Sequence, residues 1–288
     1  MTAPLTASPP TATAGTAVPD ARPRFLDLLA AEWTKLWSLR SMRWAFPVTA
    51  LIVIGISANG ALADYRNWPN YSEDIREQFV PTWAIRDAFP ITSATVLMMI
   101  IATLGALTVT NEYSSGMIRT TLAAVPARRS MLAAKMMVLA GVTTAFGVLV
   151  VAVSFTLSQA ILSGRGVSVG LGDPEVLRSL ASSAVLAPVS ALIGLGVGVL
   201  LRHGAATVAV TALALILLPS FLTENEQWTA ALKYAMPLNA WTNLCAIAPS
   251  WMQPAPYVPS LTHSWIVLAV WPVVAVALAL GLVHRRDL

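Results

Sequence analysis

The sequence predicts an all-α integral membrane protein with six transmembrane helices, and three observations predict it. The first is composition: 56 % of the 288 residues are apolar and only 11 % are charged, against about 25 % charged in an ordinary water-soluble domain. With a mean hydropathy of +0.68, too few polar groups remain to coat a globule of this size. The second is run length: a hydrocarbon core about 30 Å thick needs roughly 20 apolar helical residues. Six stretches, 44–63, 89–110, 136–162, 180–201, 205–222 and 265–283, contain no Asp, Glu, Lys or Arg. The third is the absence of alternation, which excludes barrel strands and leaves helices as the way to satisfy the backbone in lipid.

The spans are ordered by where the basic residues fall. If the N-terminus is inside, the inner segments carry twelve of the 18 Lys and Arg, among them Arg24, Lys35, Arg40, Arg43, Arg119, Arg128, Arg129, Lys135 and Arg202. The six outer ones, Arg66, Arg76, Arg86, Arg165, Arg178 and Lys233, are diluted by nine acidic residues. Both termini are therefore expected on the cytoplasmic side of a multi-pass cell-membrane protein. Fifteen of the 18 basic residues are Arg, a weak pointer to a GC-rich bacterial source. Residues 1–23, rich in Pro, Ala and Thr and without an apolar signal core, read as a disordered cytoplasmic tail.

Several chemistries are excluded by what the spans lack. Burying a charge in the membrane interior is costly, and ion- and proton-coupled carriers usually keep at least one there despite that cost because their coupling needs it. These spans keep none. There is no HExxH, no GxSxG and no GxxxxGK[ST], so neither a hydrolase site nor an ATP-binding loop is expected. The single Cys245 and scattered His203, His263 and His284 make no metal set. No nucleic-acid binding is expected from a net charge of +4 so dispersed. Gly194 and Gly198 form a GxxxG pair suited to close helix packing, and Pro188 in the same span can kink it.

Two polar segments stand out. The segment 24–43 is amphipathic at helical period, with Phe25, Leu26, Leu28, Leu29, Trp33, Leu36, Trp37 and Leu39 on one half, as in a helix lying in the membrane interface. Glu32 falls inside that apolar arc. It either pairs locally with Lys35 at i, i+3 or meets a partner or another segment. The second is an island of about 25 residues, 111–135, between two uncharged spans. Glu112 opens it at the water boundary, Gly116 can turn the chain, Pro126 can end a short helix, Arg128 and Arg129 can meet phosphates or acidic groups, and Lys135 can snorkel at the head of the next span. A loop longer than its connection needs is often functional.

The stretches AAEWTKLWSLRSMRWAF (30–46) and NEYSSGMIRTTLAAVPARRSMLAAK (111–135), with the six-span pattern, resemble the permease subunits of ABC-2-type transporters, most closely an actinobacterial branch. The resemblance covers 25–288. Its most specific part is Glu112–Tyr113–x–x–Gly116–x–Ile118–Arg119–x–Thr121–Leu122–x–x–x–Pro126–x–Arg128. It implies an ABC-2 exporter-like fold, with a connecting helix over 25–40 that includes Glu32, Trp33 and Lys35. It also implies a coupling helix in the loop, with Glu112, Tyr113, Gly116, Arg119, Pro126, Arg128 and Arg129 as ATPase-coupling positions. The implied partners are a separate ABC ATPase subunit, which would bind ATP and Mg, a second permease copy and membrane lipid. Residues 227–251 resemble short re-entrant helices before the last span; an ordinary surface loop is the alternative. Apolar walls with Met98, Met99, Met136 and Met137 suit a hydrophobic or amphiphilic solute, although methionines also serve plain packing. The modest loop 64–88 holds no large external domain. The rival reading is a membrane anchor or sensor subunit that binds a cytoplasmic partner without transport.

Overall fold

The computed structural model describes residues 24–116, 128–247 and 257–285, and among them every regular element is helical. In chain order these are α1 (Phe25–Ser38), α2 (Arg40–Asn67), the short α3 (Glu73–Glu77) and α4 (Ala84–Ala88), then α5 (Ile91–Ser114) and α6 (Arg128–Ser163). They continue with α7 (Pro174–Leu201), α8 (Gly204–Ala212), α9 (Gln227–Tyr234), α10 (Pro237–Cys245) and α11 (Leu261–Arg285). Five of them, α2, α5, α6, α7 and α11, are long and apolar enough to cross a membrane. The stretch expected as a span over 205–222 is shorter. It is an apolar helix over Gly204–Ser220 with a widened π turn at Leu213–Leu217. At 1.5 Å per residue its length is about 26 Å, under the roughly 30 Å hydrocarbon core. Hydropathy counts apolar residues and is blind to a turn that interrupts them.

The amphipathic segment divides at Leu39, whose extended backbone (ψ 117°) separates α1 from α2, so 40–43 form the first turn of a spanning helix. At the start of α1 the Arg24 backbone N–H donates to Asp27 Oδ2 at 2.9 Å, satisfying one otherwise free donor.

The centre of the bundle is α5 against α7. More than half of each is buried, whereas less than a fifth of α11 is. Their approach depends on two glycines. A β-carbon at Gly105 would collide with the carbonyl oxygen of Ala191, and one at Gly194 with the carbonyl oxygen of Ala102. The two contacts are reciprocal, so the backbones touch along a seam that only small residues permit. Leu97, Met98, Ile101, Leu186 and Leu195 fill the layers around it and are fully buried. Met136 is also in the core, whereas Met99 and Met137 point outward. The four methionines thus form no common wall. Hydroxyls inside the spans bond back to the preceding turn, as Thr110 Oγ1 does to Ala106 O (3.1 Å) and Ser190 Oγ to Leu186 O (2.7 Å), which removes a polar atom from lipid without a partner helix.

Within residues 227–245, α10 packs into the bundle, whereas Trp228 and Leu232 of α9 are exposed. Trp241 on α10 is 3 % exposed. Its indole N–H donates to Ser183 Oγ at 2.9 Å and its ring meets Phe89 edge-on at 6.0 Å. Residues 227–245 thus form two short helices, while 248–256 lie outside the described residues, as do 1–23.

The connection 64–88, opposite α1 in the bundle, is also folded. Phe79 is buried among Trp68 (5.2 Å, near-perpendicular) and Tyr71, and Gln159 of α6 ties it down by donating to Ala84 O (2.9 Å) and accepting from Val169 N (2.8 Å). The Tyr71 hydroxyl donates to Asp64 Oδ1 at 2.7 Å. Burial, reinforced by the Asp64 carboxylate, pushes its phenol up to about 12. A raised acid pKa stabilises the fold fully below the unfolded value near 10 and loses that contribution as pH rises through about 12. The late-ionising part of the tyrosinate absorbance, to which burial of Tyr234 also contributes, is expected to shrink by one phenol in Tyr71→Phe. A wild-type titration unchanged by that substitution would refute the assignment.

Candidate functional site

At one end of the bundle three helices bring four charges together. On α1 the buried stripe is Leu28, Glu32 and Leu36, spaced one turn apart, so Glu32 must turn inward. On α5 Glu112 follows Thr108 and Val109 on the buried face. On α6 Lys135 sits among the buried Leu132, Met136 and Leu139. Glu32, Glu112 and Lys135 are each 4–5 % exposed. Each is too costly to bury alone, and each finds the others.

Lys135 Nζ lies 2.5 Å from Glu32 Oε2 and 2.9 Å from Glu112 Oε1. Lys35 Nζ, at the rim, lies 2.7 Å from Glu32 Oε1 and 3.4 Å from Glu112 Oε1. Two ammonium groups and two carboxylates thus close a ring that is neutral overall. Burial works against the Lys35 charge, but the Glu32 hydrogen bond and the Glu112 carboxylate outweigh it and hold this ammonium above its ordinary range. Both readings of Glu32 hold at once: it pairs locally with Lys35 and joins α1 to the far side of the island. Lys135 does not snorkel. Its Nζ is held inside by two carboxylates, which a water-exposed lysine would forgo.

The remaining expected positions are distributed as follows. Trp33 is 53 % exposed and stacks edge-on with Trp37 at 5.8 Å, so it faces away from the ring of charges. Tyr113 is half-buried, with the Arg202 guanidinium 5.1 Å from its ring centroid. Arg202 ends α7 in the left-handed region (φ 55°), which ties the end of α7 to the end of α5. Gly116 has φ +69° directly after α5, the left-handed closing position for which glycine is favoured. Arg129 is exposed on the first turn of α6. Arg128 is the first residue of that helix, and its side chain lies outside the described residues, as do Arg119 and Pro126.

A cavity of about 160 Å³ opens beside the charges. Leu36, Leu39, Val138 and Leu139 give it apolar walls, and Glu112 with Lys135 gives it a charged corner. Sequence reasoning placed Lys135 at the water boundary and missed the ring. Part of the signal was in the sequence, three lone charges each at the helical spacing of apolar neighbours, but not which of them would meet.

The geometry ties an N-terminal amphipathic helix to both flanks of a polar loop, at one end of an apolar helical bundle. Residues 28–218 match the family model for ABC-2 family transporter proteins. That match spans well over half of the chain, and the protein belongs to this family. No curated protein matches the chain. The family assignment and the apolar helices make it an integral membrane permease of the ABC transporter class.

Proposed function

We propose that the chain is the membrane half of an exporter driven by a separate ABC ATPase, and that the Glu32–Lys35–Glu112–Lys135 ring transmits the drive. The observation that carries this reading is the ring itself. It fastens α1 to the helix ends on either side of residues 115–127, so a push on either α1 or the loop reaches α5 and α6 together. In this reading 25–40 is the connecting helix, 112–129 is the coupling loop that the ATPase grips, and ATP and Mg belong to that partner. The N- and C-termini and the loop face the cytoplasm of a bacterial cell, and Gly204–Ser220 completes a sixth, short crossing. Helices α9 and α10 dip part-way into the membrane from the outside.

A second permease copy covers part of the apolar surface, and a hydrophobic or amphiphilic solute (a drug, lipid or peptide) crosses between the two. Force is transmitted as a difference in the ATPase's affinity for two arrangements of the permease. Arg119→Glu, on the loop and outside the buried ring, tests the reading. Co-purification of a co-expressed ABC ATPase is expected to fall roughly tenfold or more, as when an interfacial charge is reversed, and resistance to an exported drug is expected to fall with it. Undiminished ATPase binding and resistance would overturn the docking role and favour a subunit that anchors or senses without transport.

A further inference from the structure

Within the ring of charges the acceptors are unevenly used. Both oxygens of Glu32 are taken, Oε1 by Lys35 and Oε2 by Lys135. Glu112 receives both ammonium groups on Oε1. Its Oε2 is buried and has no hydrogen-bond partner among the described residues, and Glu112 borders the cavity. A buried carboxylate oxygen without a donor is costly. The lysines are already committed to two carboxylates each. The remaining demand of the site is therefore for a donor and not for another anion.

Ser38, Thr108 and Asn111 also border the cavity, and the greater part of its remaining wall is apolar. Leu36, Val138 and Leu139 line it, and Leu39, 38 % exposed, stands at its edge. Its volume of about 160 Å³ is close to the roughly 150 Å³ that holds a benzene-sized molecule. That is room for a small head group and the first few carbons of a chain, and the remainder of a longer tail would leave past Leu39.

We infer that this cavity is a binding site for an amphiphile with a hydrogen-bond-donating head, a primary ammonium above all, whose head donates to Glu112 Oε2 while its first carbons lie against Leu36, Val138 and Leu139. A primary ammonium supplies three donors at one atom to the one open carboxylate oxygen of the ring. A trimethylated head keeps the charge and loses the donors, and its methyl groups cannot reach hydrogen-bond distance. Occupation of this site requires no ATPase.

Photolabelling of the full-length protein in lipid nanodiscs tests this, with a diazirine-bearing dodecylamine and its N,N,N-trimethyl counterpart as probes. The amine is expected to label the segments around Leu39 and Val138 saturably. The trimethyl probe is expected to label them roughly tenfold or more weakly, the difference that donation to a charged acceptor makes. Val138→Trp, which fills the cavity, is expected to abolish the amine signal, and Val138→Met, a smaller filling that folds more readily, to reduce it. Equal labelling by the two heads, or labelling by the amine that survives both substitutions, overturns the site and leaves water as the donor to Glu112 Oε2. No transport or ATPase assay enters, so failure here is distinguishable from failure of the exporter reading.

Discussion

Lys135→Met is expected to cost about 3–5 kcal/mol, because removing one partner of a buried ionic set strands the others. Among the described residues Lys135 is the one fully buried cation in contact with both Glu32 and Glu112, and without it Lys35, at the rim, is the described cation left to serve two buried carboxylates. For a chain of this size such a loss corresponds to a fall of on the order of 10 °C in the thermal midpoint, measured in detergent by static light scattering with tryptophan fluorescence. The double variant Lys135→Met/Glu112→Leu removes one charge of each sign and keeps the 2.7 Å Glu32–Lys35 pair. It is expected to recover at least half of the lost midpoint, since replacing both members of a buried ion pair by apolar groups is often neutral or better. If Lys135→Met melts with the wild type, the ring carries no stability and the account of α1 docking falls.

The second large effect is steric. Gly194→Leu is expected to yield no monodisperse protein, because its side chain must occupy the space of the Ala102 carbonyl and backbone atoms of a packed helix cannot give way as a side chain can. Even Gly194→Ala or Gly105→Ala is expected to cost about 1–3 kcal/mol as overpacking. Gly55 supplies the control: a β-carbon there meets nothing within 4 Å, so Gly55→Ala is expected to be neutral or to stabilise α2 by up to about 1 kcal/mol through helix propensity. The opposite signs of Gly55→Ala and Gly194→Ala, read as melting temperatures or as monodisperse yield, distinguish contact from propensity. Equal behaviour of the two would remove the α5–α7 seam from the account.

Much of this was legible in the residues. Long uncharged runs gave the five long helices, and the helical spacing of Leu28, Leu36 and their neighbours gave α1. The GxxxG pair at Gly194 and Gly198 foretold a close helix contact, and Gly194 makes one against Ala102. Three things were not legible, each for a physical reason. The break at Leu39 depends on one residue's ψ angle, which an apolar side chain does not announce. The shortness of the 205–222 stretch was legible from its residue count, but the widened turn at Leu213–Leu217 is one that no composition count registers. Lys135 was assigned to water because single-helix reasoning compares a charge with solvent and lipid only. It cannot weigh an opposite charge that arrives from 103 residues earlier in the chain. Glu32 carried the clearest warning, a carboxylate in the middle of an apolar arc, and the ring shows that such an exception is resolved by another exception elsewhere.

The distribution of the four charges has a dynamic consequence. Glu32 and Lys35 belong to one helix and contact each other at 2.7 Å, while Glu112 and Lys135 belong to the bundle and contact each other at 2.9 Å. Each half balances itself. If α1 swings away, the cross-links open but no lone ion is abandoned in a dry place, so the joint behaves as a latch that can release and re-engage many times, not as a weld.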